Sequence, residues 1–322
     1  KKLNVLTLPG GIYEIHVEIY GEERMNIHIL IDRSVVKIMK LVAGRRRLFS
    51  RNIESPSFQE LMKTIELKVP DINGAGHYDA ETVTPYGTFR PAFKVVRWLG
   101  NDFPTIIYHH GNSEKPFKFR RFARNTFFNI FLNTATPVKA NLIALASPLH
   151  TVPLKEYRSR AGDLRQFIIA IAVMPVLVEN IMSQLKRKVT KPVIVSGISF
   201  GGFVTNLHRA FFNTADTYIP LLAGSAMDRL FFDSVFSQIV SAAVHENPEK
   251  MKDIMNFEEP FMKIPDKNVF PLLGRYDQFV DLSVHIRCYE GHTVNITELG
   301  HVTTAYCTQT MREHIFKNAG IN

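Results

Sequence analysis

The chain has 322 residues, 45% of them hydrophobic and 21% charged, proportions that suit a globular protein and exclude an intrinsically disordered one; one large domain or two small ones fit that length. Two cysteines, Cys288 and Cys307, cannot build a disulfide framework and match no zinc-ligand spacing, so a reducing compartment is expected. The net charge of +9 collects at Arg45-Arg46-Arg47, at 115–124 and at 186–188; it reads first as solvated helix faces and second as attraction to an anionic surface, and no nucleic-acid-binding motif accompanies it.

Residues 1–60 read as an N-terminal extension packed on a main domain of residues 61–322. The stretch beginning at Lys1, which has no initiator methionine, shows no secretory leader. "IYEIHVEIY" has the period of a strand, and 22–48 that of a basic amphipathic helix. Its apolar part is interrupted by Asp32, Arg33, Lys37 and Lys40, whereas a bilayer-spanning helix needs roughly 20 mostly apolar residues. The other long apolar run, 167–182, is too short to span and is broken by Pro175.

From about residue 88, β-rich runs alternate with stretches long enough for crossover helices. The runs are 89–99, 105–110, 141–147, 192–197, 217–224, 268–274 and 293–299. Such alternation predicts an α/β protein with a mostly parallel sheet covered by helices on both faces. Pro220 and Pro271 fall inside two of the runs and blur their limits. Segment 117–132, with six phenylalanines and four basic residues, reads as a core helix with a basic outer face, or as an apolar wall of a binding pocket. The interval 225–267 is long for a connection and carries apolar residues at helical spacing, which suggests a helical cap over a cleft.

In an open parallel sheet, ligands gather beyond the carboxyl ends of the strands. Ser199 follows the run 192–197, Tyr276 and Asp277 follow 268–274, His301 follows 293–299, and His109-His110-Gly111-Asn112 closes the run at 105–110. A serine hydroxyl needs a base to remove its proton, a histidine can serve near neutral pH, and a carboxylate orients that histidine. "GISFGG" places Ser199 between small residues where a strand turns into a helix. The amide of Phe200 then lies at a helix start that favours negative charge, and the amide of Asn112 is the expected second donor of an oxyanion hole.

His292 rivals His301 but precedes the last strand and belongs at the opposite edge of the sheet. For the acid, Asp277 is favoured, with Asp281 and Asp228 as alternatives whose bland reading is a turn or helix cap. His109 and His110 could suggest a metal pair, but neighbouring side chains on a strand point to opposite faces. No metal and no cofactor are expected.

Together, "GISFGG", the upstream histidine-glycine loop, "GRYDQFV" and "LGHVTTAY" resemble an α/β-hydrolase over roughly residues 60–318. The resemblance implies a mostly parallel sheet of about eight strands, with Ser199 as nucleophile, Asp277 as acid and His301 as base. The leading expectation is a serine hydrolase, carboxylesterase- or lipase-like, that cleaves a small-molecule or lipid ester of a moderately apolar acyl group. Acyl transfer or amide hydrolysis on the same triad is the alternative within this chemistry. The alternative from another class is a lipid-binding protein with a hydrolase-like fold at an anionic membrane surface. The expected location is the cytoplasm, with peripheral membrane association as the variant; the oligomeric state is not legible.

Overall fold

A computed structural model describes residues 2–7, 13–18, 26–43 and 47–321. Its centre is an eight-stranded sheet of β1 (Gly76–Asp79), β2 (Ala92–Arg97), β3 (Thr105–His109), β4 (Asn141–Ala146), β5 (Val193–Ile198), β6 (Thr217–Leu221), β7 (Leu272–Gly274) and β8 (Asn295–Thr297). The spatial order is β1-β2-β4-β3-β5-β6-β7-β8. Strands β3 to β8 run parallel, while β2 is antiparallel to both β4 and β1. Every residue of β3, β4 and β5 is buried, as continuous apolar runs require when both sheet faces are covered.

Alternate residues feed two cores. Ile107, Ile143, Val193 and Val195 face a large cluster that includes helices α2 (Leu164–Leu185) and α3 (Phe200–Phe211). Ile106, Tyr108, Leu142 and Ile194 face a smaller one with Phe127, Phe131 and Met311. Before these helices in the chain comes α1 (Ile27–Ala43); after them come α4 (His301–Tyr306) and α5 (Thr308–Ala319).

Prolines account for the ragged β6–β7 edge. Along this edge Tyr218 and Leu222 donate to Asn268 and Leu272, and Pro220, between them, cannot. Pairing is therefore reduced to the bridge Tyr218↔Val269 and the pair Leu221↔Leu272, and the run expected over 268–274 yields a strand only from Leu272. Pro175 behaves differently. Instead of breaking the apolar run, it lies inside α2, which extends to 22 residues. A proline within a helix costs about 3 kcal/mol, but burying even two large aliphatic side chains offsets that at roughly 1.5–3 kcal/mol each. Ile171, Met174, Leu177 and Val178 are all fully buried. By length and composition α2 could cross a membrane, yet it is a core helix enclosed by protein.

Three other expectations change. Segment 117–132 is not one helix: turns run to Arg124, and only 126–132 is helical, with Phe128–Leu132 in a π turn. Asn125 sets that start, its side-chain oxygen accepting from Phe128 N (2.8 Å) and its amide donating to Lys115 O (2.8 Å) and Pro116 O (3.0 Å). A small antiparallel sheet, Glu66–Lys68, Glu81–Thr84 and Gly87–Phe89, lies ahead of the region read as alternating. The boundary placed at residue 60 falls inside the helix Phe58–Thr64, whose capping box joins Ser57 to Glu60.

Of the N-terminal readings, the amphipathic helix is present as α1, and Tyr13–Glu18 pairs antiparallel with Lys2–Thr7. Arg45 and Arg46 lie outside the described residues. Interval 225–267 folds into five short helical segments: Arg229–Phe232, Val235–Ile239, Ala242–His245, Pro248–Met255 and Glu258–Met262. Arg209 of α3, fully buried, ties this interval to the sheet by donating to Phe261 O (3.0 Å) and Asp266 O (2.8 Å).

Between β5 and α3 the backbone leaves no room for side chains. A Cβ on Gly201 would lie 2.1 Å from the carbonyl oxygen of His109, and one on Gly197 would lie 2.4 Å from that of Gly201. Gly201→Ala is therefore expected to destabilise the chain by about 3 kcal/mol or to prevent folding. Urea denaturation measures this, and a midpoint unchanged from the parent would contradict the crowding.

Candidate active site

Three strands deliver three side chains to one edge of the sheet. Ser199 follows β5 directly, at φ 53°, in the left-handed region that an L-residue enters only under constraint. Its amide donates to Leu221 O (2.8 Å), and its own carbonyl accepts from Phe203 N (3.0 Å), so strand and helix hold the bend from both sides. His301 opens α4 just after β8, and its Nε2 lies 2.9 Å from Ser199 Oγ. Asp277, in the turn after β7, places Oδ2 2.7 Å from His301 Nδ1.

The second carboxylate oxygen of Asp277 accepts from Phe279 N (2.7 Å) and Val280 N (2.8 Å), which fixes the carboxylate plane. The alternatives are occupied elsewhere. Asp281 caps the next helix through Ser283 N (2.8 Å), and Asp228 accepts from Asn256 Nδ2 (2.8 Å). His292 sits in the turn leading into β8, its amide donating to Tyr289 O (2.9 Å).

Burial alone would lower the His301 pKa. The charge and hydrogen bond of Asp277, with a further push from Asp32, outweigh it and leave His301 raised above 6.5. With Nδ1–H donating to Asp277, neutral His301 presents an unprotonated Nε2 to the serine hydroxyl.

The Phe200 amide, at the first position of α3, finds no acceptor among the described residues. Asn112 lines the same space as Ser199, but its side chain turns to the loop wall, where Oδ1 accepts from Tyr157 OH (3.0 Å) and His150 Nε2 (2.9 Å). Glu114 ties the loop at both ends, accepting from Gly111 N (2.8 Å) and Thr126 N (2.6 Å).

His109, His110 and His150 pack together behind this loop, the first pair tilted and the second edge-to-face, with successive ring centroids 4.7 and 4.5 Å apart. Burial drives all three pKa values down, that of His110 to about 4. Each is then a neutral ring, with His109 and His110 donating from Nδ1 to the carbonyls of His110 and Gly111. Among the described residues no group of three or more potential ligands is placed to hold a metal.

Two cavities meet at Ser199. One, of about 460 Å³, is apolar and walled by Phe167, Ile171, Phe203 and Phe231, with Met39 of α1 at its rim. The other, of about 520 Å³, is bounded by Ser113, Glu114, Arg124 and Asn129. Phe122 is the phenylalanine of 117–132 that reaches it, so the aromatic wall comes from α2, α3 and the interval 225–267. Residues missed in the sequence are Glu114, His150, Tyr157 and Asp32. The last, fully buried on α1, bonds to the backbone of both the Asp277 turn and α4.

Strand order, the positive-φ bend between β5 and α3 and the overall architecture are those of the α/β-hydrolase fold. Among solved structures, acetyl xylan esterase 1 from Thermoanaerobacterium sp. aligns with a TM-score of 0.52 at 16% identity, covering 83% of this chain and 96% of that one. The 2,6-dihydroxy-pseudo-oxynicotine hydrolase aligns with a TM-score of 0.51 at 13% identity, over 76% of this chain and 67% of that one. No family model matches the sequence, and no curated protein matches it significantly. At such identities the likeness concerns the fold.

The geometry around His301 makes a direct expectation. Its imidazole resonances should titrate above pH 6.5 in an NMR pH series, and Asp277→Asn should move the midpoint downward. A midpoint unchanged by that substitution would break the coupling.

Proposed function

We propose that the chain is a serine hydrolase acting on carboxylic esters, with Ser199 as nucleophile, His301 as general base and acid, and Asp277 as the group that orients it. The observation that carries the reading is the continuous relay Asp277–His301–Ser199, at 2.7 and 2.9 Å, ending at an apolar cavity. Ser199 Oγ attacks the ester carbonyl while its proton passes to His301 Nε2. The negative charge on the carbonyl oxygen is met by the amide of Phe200 and one from the loop at Asn112. His301 then protonates the leaving alcohol, giving an acyl-enzyme, and water activated by the same imidazole releases the acid. That a neighbour of this fold is an acetyl xylan esterase agrees with the reaction type.

The two cavities divide the substrate. A moderately apolar acyl group fits the phenylalanine-walled side, and the alcohol portion fits the side holding Ser113 and Arg124. An amine leaving group or an alcohol acceptor would use the same second cavity, which is why amide hydrolysis and acyl transfer are the alternatives.

A fluorophosphonate probe is expected to label the parent and not Ser199→Ala; a folded parent that resists labelling removes the proposal. Burying one CH2 is worth about 0.8 kcal/mol, so kcat/KM on a series of linear acyl esters should rise roughly fourfold per CH2 until the apolar cavity is full. A flat series would show that the acyl chain does not enter it.

A second reading, compatible with the first, is supply of substrate from an anionic membrane. Apolar side chains stand exposed on α1, at Ile38, Leu41 (80% exposed) and Val42, and at Phe122 (95% exposed); of these, Val42 lines the apolar cavity and Phe122 the other. Lys37, Lys40, Arg120 and Arg121 are interleaved with them, and each basic residue near an anionic surface contributes about 1 kcal/mol. The protein should sediment with anionic vesicles at low salt. The pair Ile38→Asp and Leu41→Asp should abolish this while leaving hydrolysis of a short soluble ester intact. Equal recovery of the parent in every supernatant would remove this reading.

A further inference from the structure

We infer that Asp32, on the N-terminal helix α1, is a positioning residue for the proposed hydrolytic site: it clamps the acid-bearing turn and the base-bearing helix in mutual register. The inference rests on the serine-hydrolase reading and assigns part of that machinery to a segment outside the sheet. Asp32 Oδ2 accepts from Gln278 N (3.1 Å) and His301 N (2.9 Å), and Oδ1 accepts from Val302 N (3.0 Å). The first amide is next to Asp277. The other two belong to His301 and to the residue after it.

These are amides that would otherwise lack acceptors. His301 and Val302 open α4, where the first turn has no intrahelical partners and the helix dipole favours an anion. The residue before them, Gly300, has no side chain to cap with, and a Cβ there would lie 2.9 Å from Asp32 Oδ2 and 3.1 Å from His28 O. A carboxylate from 269 positions earlier in the chain therefore does the capping.

His28, one turn before Asp32, repeats the grip. Its Nδ1 lies 3.0 Å from Thr303 Oγ1, and its ring stacks on Tyr276 at 6.0 Å. Each level of α1 thus touches both the Asp277 turn and α4. Further along, Val35 and Met39 line the cleft itself, so one helix both walls the site and locks it.

The charge matters as well as the shape. Burial raises the Asp32 pKa, three amide bonds oppose this, and the neighbouring Asp277 raises it further. Around His301 the titratable groups are Asp277 and Asp32; around Asp32 they are Asp277, His301 and His28, with Arg33 engaged to the Gln278 side chain (3.1 Å). An ionised Asp32 favours the imidazolium that forms as the serine is deprotonated.

The test is Asp32→Asn in the full chain, which keeps the volume but offers one acceptor oxygen and turns an N–H toward a backbone donor. Expected are a fall in kcat of about 10–10²-fold on a short soluble ester, from loss of alignment, with KM within about twofold. The acid limb of kcat/KM and the NMR midpoint of His301 should both move to lower pH, because a neighbouring negative charge is gone. A variant with a lowered melting temperature but unchanged kcat and unchanged limb would reduce Asp32 to a structural contact and overturn the inference.

Should Asp32→Asn not fold, His28→Ala tests the same clamp: a several-fold lower kcat supports it, and kcat within twofold of the parent overturns it. The NMR titration needs no turnover. If the parent shows no Ser199-dependent activity, the hydrolase reading fails, while a His301 midpoint that falls in Asp32→Asn still upholds the coupling and one that stays put overturns it.

Discussion

The arrangement around Ser199 depends on one contact between backbones. Gly201, at the start of α3, lies against the carbonyl of His109 at the end of β3, so closely that no side chain fits between them. This approach brings the loop after β3 alongside the first turn of α3. The Phe200 amide and the loop at Asn112 then share one space with the serine hydroxyl. It also forces the chain through positive φ at Ser199, because a relaxed strand-to-helix turn would carry the helix away from β3. Strain at this residue is tolerated because β6 accepts the Ser199 amide and α3 donates back to its carbonyl. Displacement of α3 by the width of a methyl group would separate the Ser199 hydroxyl from His301 Nε2 and the Phe200 amide from the loop at Asn112.

Beyond the ends of the strands, the ladder no longer satisfies backbone amides, and carboxylates take over. Glu114 holds Gly111 and Thr126, Asp277 holds Phe279 and Val280, and Asp32 holds Gln278, His301 and Val302. Burial raises the pKa of Glu114 and of Asp32, and the amide bonds act against that rise. A buried carboxylate is expensive when unpaired but strong when several N–H groups converge on it. The loops at this edge therefore have fixed conformations without belonging to the sheet, which suits a site whose reacting groups must be placed within a fraction of an ångström.

Legibility in the sequence followed burial. Strands covered on both faces, such as "VIVSGI" and "NLIALA", are continuous apolar runs and stand out from any surroundings. With their order came Ser199, Asp277 and His301, each one turn past a strand. Short half-exposed strands such as Glu66–Lys68 and Gly87–Phe89 give three residues of alternation, too few to separate from a loop. Segment 117–132 had the composition of a helix, yet Asn125 ends one set of turns and begins another. Asp32 was visible as an interruption of an apolar stretch. Its meaning lay in its phase: it shares a helix face with Val36, also fully buried, and an acid on a buried stripe implies a partner. The partner, 269 residues away, is a matter of tertiary structure and leaves no local trace.

Histidine chemistry near Ser199 shows how environment assigns roles to identical side chains. His109, His110 and His150 lie close to Phe200 and the loop after β3, and His301 lies beside Ser199; His109, His110 and His301 are buried and His150 is half-buried. For the first three, loss of hydration is the largest influence and lowers each pKa, with neighbouring imidazoles adding to the fall for His109 and His150; that of His110 comes down to about 4. For His301, the same loss of hydration is outweighed by Asp277 on one side and Asp32 on the other. In the proposed mechanism the donors that meet the carbonyl oxygen are backbone amides, which do not titrate, so the pH response of the relay follows His301 and the acids beside it.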